Sequence, residues 1–250
     1  MTDFFCRFVL KTFTRPSFRV AEKYSQLVNM QSSFQLPYAE LLNEQERQLL
    51  YERSNEVTYD AKEIIFHQGS RSSHIMYLKE GLVKVFKTNR QKKSVILKII
   101  PSGNYFGLIS VFGSEIHQYS AACVESSVVV DIDINAFRSV LTGNGHYAMK
   151  LLNKVSQDGL FIFDRLMAQT HKQLPGRIAD VLLYFAETIY GSPSYTLPLT
   201  RKELAELAGT TKESFIRTLM EFKRDRIINL EGSKVEIVSM KIVETLSNLG

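Results

Sequence analysis

The stretch Leu199-Thr200-Arg201-Lys202-Glu203-Leu204-Ala205-Glu206-Leu207-Ala208-Gly209-Thr210-Thr211-Lys212-Glu213-Ser214-Phe215-Ile216-Arg217-Thr218-Leu219 constrains this chain more than any other. Thr200 with Glu203 and Thr210 with Glu213 stand at capping-box spacing, where a hydroxyl satisfies an orphan amide at a helix start and the carboxylate reaches back. They predict two helices separated by a tight turn. Gly209 can take the left-handed conformation that ends the first helix, and Ala205 is small where the two must cross closely. Leu204, Ala208, Phe215 and Leu219 supply the interior of the pair. This is a helix-turn-helix, an arrangement in which the second helix enters the major groove and presents its N-terminal residues to base edges.

On that second helix Lys212, Glu213 and Arg217 are expected to project outward, with Ser214 beside them. Arginine donates to guanine O6 and N7, and glutamate accepts from cytosine N4, so Glu213 and Arg217 form a chemically sensible reading pair. The same two residues at i and i+4 would also suit a merely solvated helix; the preceding turn favours base reading. Thr200, Lys202, Thr211, Lys223, Arg224 and Arg226 are the candidates for phosphate contacts, which position without reading sequence. Ile227–Leu230 and Val235–Val238 flank Glu231-Gly232-Ser233-Lys234, a hairpin signal that supplies a wing.

Upstream the texture differs. Leu41, Leu42, Leu49 and Leu50 recur at helical spacing between Tyr38 and Arg53. From Glu56 to Ile134 come short β-rich runs, at 63–66, 75–78, 82–86, 95–100 and 128–132, separated by Gly69, Gly81, Pro101-Ser102-Gly103 and Gly113. Val83-Lys84-Val85 alternates, with the valines on one face and the lysine on the other. Ala136–Leu141 reads as a short helix broken by Thr142-Gly143-Asn144-Gly145. His146–Thr170 reads as one long helix, on which Leu152, Leu160, Phe163, Met167 and Thr170 draw an apolar line near heptad spacing, interrupted by Ser156 and Gly159. Its place between two domains favours a dimer helix. His171–Gly176 is the expected hinge, with Pro175 and Gly176 stopping the helix, and Arg177–Tyr190 follows as an amphipathic helix.

At 250 residues two modest domains are expected, and a formal charge of +5 favours polyanionic partners only slightly. Cys6 and Cys123 form neither a zinc motif nor a disulfide framework, which suits a reducing cytoplasm. No apolar run reaches the ~20 residues of a membrane span. Residues 1–30 are basic and aromatic and read as an N-terminal extension. Two readings stay open for them: an upstream mis-assigned start with Met30 as initiator, or an amphipathic arm that packs on a partner subunit. The chain shows no Walker loop, nucleophile elbow, HExxH or dinucleotide fingerprint, and no enzyme is expected. A second functional reading keeps a ligand-binding β-roll and treats the C-terminal helices as a protein-interaction module.

Across residues 35 to 240 the sequence resembles the Crp–Fnr family. The likeness rests on Leu199–Ala205 and Thr211–Arg217 in the C-terminal part. In the β-rich half it rests on Ile65-Phe66-His67-Gln68-Gly69, Met76-Tyr77-Leu78-Lys79-Glu80-Gly81 and Phe106-Gly107. The resemblance implies an α+β fold: an N-terminal cyclic-nucleotide-binding-type β-roll, jelly-roll-like, over 31–142, a long dimerisation helix over 143–171, and a C-terminal winged helix-turn-helix over 172–250. It further implies a homodimer on double-stranded DNA with a two-fold-symmetric operator, RNA polymerase as a further partner, and Glu213 and Arg217 in the family's base-contacting positions. Lys212 stands where some members have arginine.

The effector-pocket candidates are Gly107, Leu108, Ile109, Tyr119, Ser120 and Ala121. In the family, glycine then glutamate holds the ribose and an arginine-serine pair holds the cyclic phosphate; here Leu108 and Tyr119-Ser120 stand in those places. Leucine cannot accept from a ribose hydroxyl, and tyrosine offers no fork for a phosphate, which weighs against cyclic AMP. Two distant cysteines disfavour an iron–sulfur cluster. Haem stays open as a weaker reading on His67, His74, His117 or His146, and the effector itself stays unknown. Cys123, within Ala-Ala-Cys-Val, reads as a small buried hydrophobe.

Overall fold

A computed structural model describes residues 35–249; the expectations for residues 1–30 and for Cys6 lie outside them. A single 3₁₀ turn at Ala39–Leu41 precedes α1 (Glu44–Glu52). The single helix expected over 38–53 is thus broken at Asn43, which caps α1 by accepting from the Glu46 amide while Glu46 reaches back to the Asn43 amide.

The roll follows, with β1 (Ser54–Tyr59), β2 (Ile64–Phe66), β3 (His74–Glu80), β4 (Leu82–Thr88), β5 (Ser94–Pro101), β6 (Asn104–Phe106), the short helix α2 (Leu108–Gly113), β7 (Ser120–Cys123) and β8 (Ser127–Asp133). Two four-stranded antiparallel sheets form, in the orders β1-β8-β3-β6 and β2-β7-β4-β5. Strand periodicity explains why β3 reads as an unbroken apolar run. Met76 and Leu78 point between the sheets, against Phe66, Val83, Val85 and Val129. Ile75 and Tyr77 point the other way, under Leu50, Phe137 and Val140. On β4, Val83 and Val85 enter the roll interior, which leaves Lys84 on the outer face. Cys123 is fully buried in that interior, and burial pushes its thiol up.

α3 (Ile134–Gly143) leads into α4 (Gly145–His171). Asn144 is the pivot: its side chain caps α4 by accepting from the Tyr147 amide and donates to Leu41 O and Glu46 Oε2. One turn on, the buried Tyr147 hydroxyl meets that of Tyr105 at 2.9 Å, which ties the start of the long helix to the roll. The expected hinge proves shorter, because α5 (Leu174–Leu183) already contains Pro175 and Gly176. Proline lacks an amide hydrogen, and the first turn of a helix needs none, so Pro175 starts this helix instead of stopping the one before. α5 continues as a π-helical turn over Tyr184–Ile189.

The C-terminal part holds β9 (Ser194–Thr196), α6 (Arg201–Ala208), α7 (Lys212–Arg224), β10 (Ile228–Glu231), β11 (Lys234–Ile237) and α8 (Met240–Leu249), with the strands ordered β10-β11-β9. Its core is continuous with the outer face of the roll, since Leu82, Ile96 and Ile99 cluster with Ile178, Leu182, Leu204, Phe215 and Val243. No helix among the described residues is long and apolar enough to cross a membrane.

Candidate nucleic-acid interface

The pair α6 and α7 is built by local chemistry that the sequence announces. Thr200 accepts from the Glu203 amide, and Glu203 accepts from the Thr200 amide at 2.8 Å, completing a capping box. Gly209 ends α6 at φ 64°, ψ 43°, and its amide bonds Ala205 O. The second box differs from expectation. The cap of α7 is Thr211, which accepts from the Ser214 amide, whereas Thr210 donates its own amide to Ala205 O and belongs to the turn. That turn consumes one more residue than the threonine–glutamate spacing suggested.

Phe215, Thr218, Leu219 and Phe222 are buried on α7. At about 100° per residue, the opposite face carries Glu213, Arg217, Met220 and Arg224, all exposed. Lys212 is exposed at the leading edge, while Ser214 is partly buried and its hydroxyl lies 3.1 Å from that of Thr211. Met220, 49% exposed, was not singled out from the sequence; its i+3 spacing from Arg217 is the signal that would have placed it.

Around this face stand the phosphate candidates. Thr200, Lys202, Thr211 and Arg226 are exposed, Lys202 lying 3.9 Å from Glu206. Arg224 pairs with Asp225 at 3.3 Å. Lys223 instead donates to Leu230 O at 2.8 Å and so fastens α7 to the wing. Arg201 donates to Gly232 O and fixes the wing tip to the start of α6.

The roll candidates converge only in part: Gly107, Tyr119 and Ala121 lie about the Phe66 and His117 rings, while Leu108 and Ile109 turn away from them. Leu108 is packed under Phe137 and Val140, outside the roll interior, and Ile109 is half exposed. Ser120 Oγ accepts from the Gln68 amide at 2.8 Å, and Ala121 is buried between the sheets. Tyr119 lies with its ring centroid 5.7 Å from that of Phe66. His117 stacks on Phe66 itself, with ring centroids 3.7 Å apart. From Gly107 to Ala121 the chain carries no lysine or arginine. These residues do not fit a cyclic phosphate, which needs a cation or a fork of donors.

His67, His74 and His146 are exposed and His117 is buried; among the described residues no three His, Cys, Asp or Glu side chains are grouped to hold a metal ion. The Nδ1 of His117 is buried without a hydrogen-bond partner among the described residues, and burial lowers the ring's affinity for a proton. Above the usual histidine value of about 6.5 both folded and unfolded chains hold it neutral, and stability is full. As pH falls below that value the unfolded chain takes the proton first, so stability drops until the folded ring titrates. The expected result is a urea midpoint that declines on going from pH 7 to about 5.5. His117→Phe, which keeps the stack, should flatten that decline; an unchanged slope in the variant would remove His117 as its source.

The family model of the cyclic nucleotide-binding domain matches residues 56–144, and that of the Crp-like helix-turn-helix domain matches residues 176–245. The chain is 23% identical over 185 residues to the cAMP-activated global transcriptional regulator CRP of Salmonella typhimurium, covering 72% of this chain and 87% of that protein. It is 25% identical over 177 residues to the CRP-like cAMP-activated global transcriptional regulator of Mycobacterium tuberculosis, covering 69% and 79%. Among solved structures, FixK2 from Bradyrhizobium japonicum superposes with a TM-score of 0.72 at 18% identity, over 77% of this chain and 96% of that one, a likeness of fold.

Proposed function

Since the chain belongs to the Crp–Fnr family of DNA-binding transcriptional regulators, we propose that it works as a homodimer that reads a two-fold-symmetric operator through α7, under control of a sensor roll whose effector is not cyclic AMP. One observation carries the reading: Glu213 and Arg217 share the exposed face of a helix whose other face is braced by α6. In this reading Lys212 and Glu213 at the leading edge and Arg217 one turn on meet base edges. Thr200, Lys202, Thr211 and Arg224 meet phosphates. Ser214, already engaged by Thr211, contributes chiefly by setting the helix start.

The two faces of α4 support the dimer. Tyr147, Leu151, Lys154, Asp158, Phe161 and Arg165 form one stripe, turned toward the roll and the C-terminal helices. The opposite stripe holds Leu152, Leu160, Phe163 and Met167, with Met149 and Leu166 beside them, all between 56% and 64% exposed. A contiguous apolar stripe left to water on a long helix is the mark of an unpaired seam. Against cyclic AMP stand the buried Leu108, the aromatic filling of the roll by Phe66, His117 and Tyr119, and the lack of a cation in the 107–121 segment.

Arg217→Ala should cost roughly 1–3 kcal/mol on the selected operator and relax one base position, while Lys202→Ala should weaken all duplexes alike. Fluorescence anisotropy on operator and scrambled duplexes at fixed salt distinguishes the two. Equal losses on both duplexes for Arg217→Ala would contradict its reading role, and binding to neither duplex by the unaltered protein would favour a protein-interaction module.

A further inference from the structure

Where α4, α5 and α6 meet, a cavity of about 220 Å³ opens between Phe161 and Arg165 of α4, Arg177, Val181 and Tyr184 of α5 and its π-helical extension, and Leu207 of α6. It lies on the stripe of α4 that faces away from the apolar seam, so a dimer formed through Leu160 and Phe163 leaves it open. The charges around it do not balance locally. Arg165 donates to three neutral carbonyls, those of Ile96, Leu97 and Leu207. Arg177 donates to Gln169 O, while its Nε is buried with no acceptor among the described residues. Asp180, the acid whose field reaches Arg165, is already bridged to Lys172 at 2.7 Å and to Ser247. Asp164 sits exposed at the rim. A guanidinium withdrawn from water and satisfied only by dipoles gains most from an anion, since a charge-assisted pair is about twice as strong as a neutral one.

The walls supply the other half of the specificity. Phe161 and Tyr184 stand with ring centroids 5.4 Å apart, and Val181 and Leu207 are buried and apolar. The space of about 220 Å³ accommodates one ring with a carboxylate.

We propose that this junction is an effector site for a small single-ring carboxylate, held through its anionic group by Arg177 and Arg165 and through its ring by Phe161 and Tyr184. Its position gives such a ligand leverage. Arg165 joins strand β5 of the roll to the end of α6, and the Tyr184 hydroxyl donates to Ile99 O at 2.8 Å while accepting from the Ile99 amide at 3.1 Å. Lys84 of the roll also pairs with Glu203, the capping carboxylate of α6. Occupancy therefore tightens the joint between the roll and the reading helices.

This inference rests on the reading of the protein as a regulator whose effector is not a cyclic nucleotide. Its test uses no DNA, so its failure leaves the DNA-reading assignment standing. Calorimetric titration of the full chain with benzoate and with phenylacetate, against benzyl alcohol as the uncharged counterpart, should give one site per chain for at least one acid and at least tenfold weaker binding of the alcohol. Arg177→Gln should weaken that acid tenfold or more. Ala168→Leu, which fills the cavity and keeps every charge, should abolish binding even if the arginine variant is poorly folded. Tyr119→Phe in the roll should leave it unchanged. The proposal is overturned if neither acid binds up to about 5 mM, if Ala168→Leu binds like the unaltered protein, or if Tyr119→Phe removes binding.

Discussion

Replacing Leu160 and Phe163 together by glutamate should convert the protein to a monomer and lower its affinity for a two-fold-symmetric duplex by roughly 10²–10⁴-fold, the gain that linking two binding modules confers. The two side chains are 61% and 64% exposed on the outer stripe of α4, so the substitutions remove little packing within the chain. Charges facing each other across a paired seam would repel, while in a monomer they would simply be solvated. The folded chain should keep its thermal midpoint at low protein concentration, and affinity for a single half-site should stay within a few fold. Sedimentation equilibrium and anisotropy on full and half operators read the two effects separately. A variant that stays dimeric, or one that is monomeric yet binds the full operator unchanged, would refute the seam.

Phe215→Ala should have the largest effect on stability, about 3–5 kcal/mol. Its ring is fully buried between α6 and α7, in the cluster that includes Leu204, Leu219 and Phe222. A domain of this size holds only about 5–15 kcal/mol in reserve, so much of the margin that keeps the reading helix braced would be lost. Because the same cluster includes Leu82, Ile96 and Ile99, the roll should also lose protection along β4 and β5, which hydrogen exchange would register. Arg217→Ala, on the exposed face of the same helix, should change the free energy of unfolding by less than about 0.5 kcal/mol. A destabilisation of Arg217→Ala matching that of Phe215→Ala would mean that the arginine is structural.

The helix pair was legible because its determinants are local. A capping threonine, a left-handed glycine and a small residue at a crossing act within a few positions of one another, and Thr200, Gly209 and Ala205 all stand where the sequence put them. The misplacement of the second cap from Thr211 to Thr210 has the same origin, since two adjacent threonines offer the same hydroxyl and only the closure of the turn on Ala205 O selects between them. Five runs of the roll were legible through their apolar content. β1, β6 and β7 were not. Ser54–Tyr59 is largely polar because it is half solvated, and Ser120–Cys123 is made of small residues with weak strand preference that are fully buried between β2 and β4.

Long-range contacts account for the remaining differences. Nothing near Tyr184 in sequence predicts a π-helical turn or a hydroxyl that engages both backbone groups of Ile99. Lys84 read as a solvated residue on an alternating strand, and it meets Glu203 across more than a hundred residues of chain. The junction cavity draws its walls from three helices, so no spacing in the sequence could announce it. The sensor candidates converge only in part for a related reason. They were placed by likeness to a family pattern, and here Leu108 serves the core between roll and helices while Phe66 and His117 occupy the interior.

If α7 reads base edges as one half of a two-fold pair, the protein must select its own operator from random DNA. Selection of duplexes from a random pool by the full-length protein, followed by sequencing, tests it most directly. The recovered pool should hold an inverted repeat whose half-sites are centred about one helical turn, 10–10.5 base pairs, or a multiple of it apart, with enrichment lost for the Leu160→Glu, Phe163→Glu double variant and altered at one base per half-site for Arg217→Ala. Recovery of unenriched DNA, or of a motif that Arg217→Ala selects identically, would contradict it.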